Sequence, residues 1–333
     1  MFYYYLNLFI LALSTLITLL TNDLIMIWFI MEINNFMYTT HLTMYMKNKK
    51  MIFLYFFIQI TASFILIISL TINSLKFNNL MILILMMSSL LMKLGLPPFH
   101  LWLPLISMHM KWFTIFILFT IQKIIPFVLM WLLNFHSSLF FLPIILSMII
   151  PPFMMLNINN FKKFMAYSSI NQTGWMLLLI LFSSTTWMFY FMFYSLTFFL
   201  VTSLFKIFKI KSFSWLKSNF FMKFMMMFSM MNMSGLPPFS FFIIKWYTMF
   251  LFISSTKLNI IMPLIMLFSS LLMLYIYINL IVKMTLTHSS NIKLIIYPSP
   301  LMTPPSPFYN INMNTNFIIY FMAPMLSILL IMI

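Results

Sequence analysis

The 333-residue sequence contains no cysteine, no arginine, only three glycines and only two acidic residues, Asp23 and Glu32. Without cysteine the chain can form no disulfide, thiolate metal site or iron–sulfur ligation. Three glycines leave neither a GxGxxG pattern nor a Walker loop to cradle phosphate, which excludes a nucleotide site. No His/Glu/Asp cluster has the spacing of metal ligands. Against two acids stand 18 lysines, a formal net charge of +16. Such a balance first suggests nucleic acid. The lysines gather between apolar runs, however, with no soluble scaffold to present them. Membrane topology accounts for them better, and no nucleic-acid partner is expected.

Hydrophobic residues make up 64% of the chain, charged residues 6%, and the mean hydropathy is +1.07. No soluble globular domain has that balance, so the sequence reads as an all-α polytopic membrane protein. Apolar runs recur to the last residue, which a secretory signal peptide does not explain. Windows of roughly 20 apolar residues predict spans at 3–21, 24–44, 51–72, 79–96, 112–133, 139–157, 164–183, 187–210, a broken 220–256, 260–283 and 316–333. That makes about eleven transmembrane helices in one domain, 1–333, with 97–111 as a half-helix after the fourth. Residues 284–315 include Pro298, Pro300, Pro304, Pro305 and Pro307, and are expected to run extended before the last helix.

Lysine placement tests the count. If loops alternate between two sides, the side of the N-terminus receives thirteen lysines and the other only Lys76 and Lys257. A missed or invented span would scramble that split. By the positive-inside rule the N-terminus faces cytoplasm or matrix, and an odd number of helices puts the C-terminus opposite.

One phrase occurs twice, Gly95-Leu96-Pro97-Pro98-Phe99 and Gly235-Leu236-Pro237-Pro238-Phe239. Proline lacks the backbone donor and clashes with the preceding turn, so a helix breaks at each copy. In hydrocarbon such a break is tolerated only against protein or a watered cavity. The first copy ends the fourth span and the second breaks the ninth. Each is therefore fourth in a unit of five, 1–133 and 139–283. A five-helix unit reverses direction, so the two units are expected to be inverted repeats, an antiporter-like plan with its site between them. The helix at 316–333 is left over.

Four ionisable groups stand inside spans: Glu32, Lys93, Lys123 and Lys245. A charge at helix centre costs about 2.5–3.5 kcal/mol on insertion scales, so such groups face a partner or water. Removal from water favours the neutral form of each group, and a nearby opposite charge favours the ionised forms. One Glu and a series of Lys can thus pass protons when water links them and their pairing changes. Lys93 lies near a span end, where snorkelling to the interface is the bland account. His100 follows the first Pro-Pro-Phe and either continues a proton path or marks the interface. His41, His109, His136 and His288 lie at span ends or in loops and read as solvated. Serine-rich spots lack a base and read as helix packing or backbone satisfaction.

The motifs in order are Trp28 through Glu32-Ile33-Asn34, Met92-Lys93-Leu94-Gly95 through His100-Leu101-Trp102, and Gln122-Lys123 with Pro126. Ala166-Tyr167-Ser168-Ser169-Ile170 with Gly174-Trp175, and Ser234 through Pro238 with Lys245-Trp246, complete the set. Together they resemble the family of subunit 2 of NADH:ubiquinone oxidoreductase, respiratory complex I, in its short animal form. The Met- and Phe-rich composition, as from an AT-rich genome, fits animal mitochondria. The resemblance implies an antiporter-like subunit of the membrane arm, in the mitochondrial inner membrane, with the Lys-rich side as matrix. It implies that Glu32 pairs with Lys93, that Lys123 is central to the proton chain, and that Lys245 leads to the far half-channel. It also implies no cofactor on this chain, while the complex uses FMN, iron–sulfur clusters, NADH and ubiquinone. Partners would be other membrane-arm and accessory subunits and inner-membrane phospholipids. Two positions depart from the family. Gln172 stands where many relatives have His, which puts a titrating role there in doubt, and Leu105-Ile106 follow Pro104 where relatives often have an acid. A free-standing cation/proton antiporter and a non-conducting scaffold are the alternatives that residues alone leave open.

Overall fold

The computed structural model describes residues 2–75, 80–182, 185–207, 220–237, 239–255 and 261–292. Pro238, Lys76, Lys209, Lys211, Lys217, Lys257, Lys293 and the predicted last helix at 316–333 lie outside the described residues. What is described is helical almost throughout: α1 (Phe2–Leu20), α2 (Leu24–Tyr45), α3 (Lys49–Ser74), α4 (Leu80–Leu94), α5 (Trp102–His109), α6 (Trp112–Phe119), α7 (Ile121–Leu132), α8 (Ser137–Met155), α9 (Phe161–Leu181), α10 (Thr186–Ile207), α11 (Phe220–Ser234), α12 (Ser240–Ser255) and α13 (Ile261–Ile292). Among the described residues, five stretches are long and apolar enough to cross a membrane: Lys49–Ser74, Trp112–Leu132, Ser137–Met155, Thr186–Ile207 and Met262–Lys283.

Hydroxyls inside these helices are satisfied locally. Ser63 donates to the Ile60 carbonyl at 2.7 Å, Ser168 to Met165 at 2.8 Å and Thr173 to Ile170 at 2.7 Å. In hydrocarbon this back-bonding spares the hydroxyl an unpaired state. It agrees with reading the serines as structural. The centre of the molecule is α9, buried from Phe164 to Ile180 and flanked by α8, α5, α10 and α12. Large side chains on the outer helices face away, among them Phe53, Phe57, Phe64 and Ile68 on α3.

Both Gly-Leu-Pro-Pro-Phe phrases turn out to be helix caps of one design. At the first, Gly95 N–H donates to Met92 O at 3.2 Å and Leu96 N–H to Leu91 O at 3.0 Å. At the second, Gly235 N–H donates to Asn232 O at 3.1 Å and Leu236 N–H to Met231 O at 3.5 Å. This is the Schellman pattern, which takes up carbonyls that a helix end leaves unpaired and needs a residue in the left-handed region. Gly95 and Gly235 fill that place with φ of 67° and 80°. Phe99 N–H to Leu96 O at 2.8 Å and Phe239 N–H to Leu236 O at 2.9 Å close the same turn in each copy.

Several expectations change in detail. The half-helix expected over 97–111 is limited to Trp102–His109, because the residues after Gly95 are spent on the cap and turn. The fifth predicted span, 112–133, divides at Thr120, whose φ of −115° and ψ of −81° are not helical. Pro126 removes a donor from this stretch, and the Thr120 hydroxyl takes the Phe116 carbonyl at 2.6 Å. Helix α13 runs past 283 to Ile292, so the first part of the predicted extended segment 284–315 is helical backbone. His41, expected to be solvated, is fully buried: its ring lies 4.9 Å from that of Tyr45 and 6.3 Å from that of Phe113. His109 and His136 are exposed as expected.

Candidate functional site

Apolar and amide residues at helical spacing (Ile27, Met31, Asn34, Asn35, Tyr38) form the buried face of α2 and leave Glu32 on its flank. Glu32 meets Lys93 there, with Nζ 3.2 Å from Oε1. The Lys93 side chain is 1% exposed and that of Glu32 28%. Lys93 therefore does not snorkel. It sits in the last turn of α4, where a cation also complements the helix dipole. Its surroundings are fixed by side chains that take the carbonyls of the same turn. Gln59 Nε2 donates to Lys93 O at 3.4 Å and Trp102 Nε1 to Met92 O at 3.2 Å.

Lys93 and Lys123 line one small cavity of about 10 Å³ of space for a water's centre. Asn34, Asn35, Gln59 and Gln122 also face it, with Tyr55 and Trp102 at its wall. That volume is at the threshold for holding one water molecule. Lys123 lies one turn past the helix interruption at Thr120 and is 2% exposed. Its Nζ has no hydrogen-bonding partner among the described residues and lies 5.3 Å from the centroid of the Phe119 ring. Next to it, Gln122 Nε2 donates to Asn34 Oδ1 at 2.7 Å, which ties α7 to α2 beside the ion pair. Gln122 belongs to a sequence motif beside Lys123, whereas the amides Asn35 and Gln59 stand in none. Their signal in the sequence is weak, since single amides in an apolar run are common packing residues.

Lys245 is not part of this group. It is 7% exposed, with Nζ 5.6 Å from the centroid of the Trp175 ring. A Cβ built on Gly235 would lie 3.4 Å from that Nζ. Each interrupted helix thus has a lysine near its C-terminal end: Lys93 in the last turn of α4, and Lys245, whose amine reaches back from α12 to the cap of α11. Ser240 Oγ donates to Asn232 Oδ1 at 2.9 Å and stitches the second interruption across. Gln172 is fully buried on α9, and its Oε1 accepts from the Tyr190 hydroxyl. His100 is 7% exposed, with its ring 6.3 Å from that of Tyr167. No cluster of metal-binding side chains occurs among the described residues.

The arrangement is a buried cation held by a carboxylate, a second buried lysine facing the same amide-lined cavity, and a third lysine at the matching cap of the other half. Residues 21–273 match the family described as NADH:quinone oxidoreductase/Mrp antiporter, TM. The chain is similar to NADH-ubiquinone oxidoreductase chain 2 of Anopheles gambiae, 35% identical over 258 residues, 72% of this chain and 74% of that one. Its likeness to the chain 2 of Canis lupus is 32% over 296 residues, 82% and 83% of the two chains. In fold it resembles a chain of respiratory complex I from Thermus thermophilus, with a TM-score of 0.77 and 19% identity over 99% of this chain and 78% of that one. A chain of the Mrp complex from Dietzia sp. DQ12-45-1b gives a TM-score of 0.72 at 15% identity, over 81% of this chain and 58% of that one. The fold is accordingly the all-helical, antiporter-like membrane fold. The chain belongs to the NADH:quinone oxidoreductase/Mrp antiporter family, within its NADH-ubiquinone oxidoreductase chain 2 group.

Proposed function

We propose that this chain is a core membrane-arm subunit of respiratory complex I, moving protons across the mitochondrial inner membrane as NADH is oxidised and ubiquinone reduced. The observation that supports the reading is one small cavity lined by both Lys93, which Glu32 pairs, and Lys123, whose amine has no hydrogen-bonding partner among the described residues. A proton can then pass between the two amines through water whenever the Glu32 carboxylate loosens its hold on Lys93. Lys245, at the second cap, takes the next position toward the far side, and His100 and Gln172 are secondary positions along the way. Matching caps at Gly95 and Gly235 support two five-helix units of inverted topology within about eleven spans. In this reading the N-terminus faces the matrix and the C-terminus the intermembrane space. Flavin, iron–sulfur clusters and quinone belong to other subunits, and the apolar outer faces meet neighbouring subunits and phospholipid.

Purification from native membranes tests it. Co-migration with a large flavin- and iron–sulfur-containing assembly that pumps protons on NADH addition is the expected result. A lone oligomer exchanging protons for cations would select the free-standing antiporter. An assembled complex whose pumping is indifferent to Lys123 would leave a scaffold.

A further inference from the structure

Helix α9 holds a second polar centre, away from the Lys93–Lys123 cavity. At 100° per residue, Ser168, Asn171, Gln172 and Trp175 fall within an arc of about 100° on one side of α9. Lys245 from α12 lies at Trp175, and Tyr190 from α10 at Gln172. Asn171 is fully buried, and neither its Nδ2 nor its Oδ1 meets a hydrogen-bonding partner among the described residues. Gln172 Nε2 and Trp175 Nε1 are likewise buried and unpartnered. Buried polar atoms in native proteins are almost always bonded, to protein or to internal water.

The chemistry of the arc singles out one residue. Gln172 Nε2, Trp175 Nε1 and the Lys245 ammonium can only donate. Gln172 Oε1 already accepts from Tyr190, which leaves it a second lone pair only, and the Ser168 hydroxyl already donates to Met165 O, which leaves its oxygen only to accept. Asn171 Oδ1 is the acceptor in the arc with no bond at all among the described residues. A water here accepts from the surrounding donors and needs an acceptor for its own proton. Without one it can neither be oriented nor hand a proton on.

Building on the proton-moving role proposed above, we infer that Asn171 seats an internal water beside Trp175, accepting one of its hydrogens, so that the water takes a proton from the Lys245 ammonium as hydronium and can return it. Asn171 is a positioning residue in this scheme, and the species bound is water or hydronium.

Asn171→Val and Asn171→Thr, compared in the intact complex, decide it. The Thr hydroxyl donates to its own helix carbonyl, as Thr173 does to Ile170, and its oxygen remains as acceptor. Val offers none. Expected are normal assembly of both variants, retained pumping with Thr, and pumping reduced about tenfold with Val, the equivalent of one lost hydrogen bond in the transfer step. A purely structural Asn171 predicts the reverse insensitivity: replacing an unpartnered buried amide by an apolar side chain leaves pumping unchanged. If Val prevents assembly, Asn171→Ala, which cannot overpack, takes its place with the same expectation. Parental pumping by Val or Ala overturns the water site. Lys123→Ala serves as the control for the underlying reading: if it too pumps normally in an assembled complex, the proton-moving role itself falls, whereas an inactive Lys123→Ala beside a normal Asn171→Val removes the Asn171 site alone.

Discussion

Lys93 and Lys123 face the same cavity, but only Lys93 has a carboxylate, its Nζ being 3.2 Å from Glu32 Oε1. One amine thereby has a carboxylate beside it, and the other is buried without a hydrogen-bonding partner among the described residues. Two like groups in unlike surroundings are what a directional proton step requires.

Lys123 is the sharper test of that asymmetry. Lys123→Ala removes an unpaired amine and breaks no hydrogen bond, so the complex should assemble. Proton pumping and quinone reduction should fall together, since a stalled proton path holds back the driving reaction. Lys123→Arg keeps a charge that cannot be released and should fare no better. Both activities are measured on purified complex in vesicles. Full pumping by the Ala variant would reduce Lys123 to a packing residue.

The two glycine caps should differ in tolerance. Any side chain in the left-handed region costs about 1–2 kcal/mol, so both Gly95→Ala and Gly235→Ala destabilise. At Gly95 the added Cβ would also lie 2.6 Å from Leu103 Cδ1, whereas at Gly235 the nearest atom, Lys245 Nζ, is 3.4 Å away. Gly95→Ala should cost a further ~1–3 kcal/mol from overpacking, and Leu103→Ala in the same chain should restore part of it. Thermal midpoints of the purified variants provide the comparison. Equal losses at the two caps would mean that Leu103 moves aside freely.

Topology is open to thiol labelling, because the chain has no cysteine of its own. Lys47→Cys, in the exposed turn between α2 and α3, should label from the matrix side. Ser138→Cys, exposed at the start of α8, should label from the intermembrane side. Labelling of both from one side would break the alternation that the lysine distribution demands.

What the sequence made legible, and what it did not, follows from how costly each residue type is in hydrocarbon. Charges at Glu32, Lys93, Lys123 and Lys245 stand out because nothing else in an apolar run costs as much. The cap glycines stand out because only three exist and two share a phrase. Asn34, Gln59, Gln122 and Asn171 carry no such signal: amides cost less, and pairings such as Gln122–Asn34 join helices far apart in the chain. The interruption at Thr120 depends on a hydroxyl taking a carbonyl one turn back, which neither Thr nor Pro126 alone announces. His41 misled because a place near a span end says nothing of Tyr45 and Phe113 closing over it.

The Glu32–Lys93 pair is either a latch between α2 and α4 or a working switch, and a double variant separates the two. Glu32→Gln alone leaves the Lys93 amine buried with no carboxylate beside it. Removing one partner of a buried pair costs about 3–5 kcal/mol, so weakened assembly is expected from a latch and is no argument against a switch. Glu32→Gln combined with Lys93→Met removes both charges, keeps the shape of the Glu32 side chain and shortens that of Lys93 by one atom. Replacing a buried pair by apolar groups is often neutral for stability, so the double variant should assemble on either reading. A latch has then been replaced by packing, and pumping returns with assembly. A switch has lost the group that carries the proton, and pumping stays low however much complex is assembled. We expect the second outcome, read as protons moved per assembled complex in sealed vesicles. Recovery of pumping in step with assembly would leave Glu32 and Lys93 as an ion pair that holds two helices together.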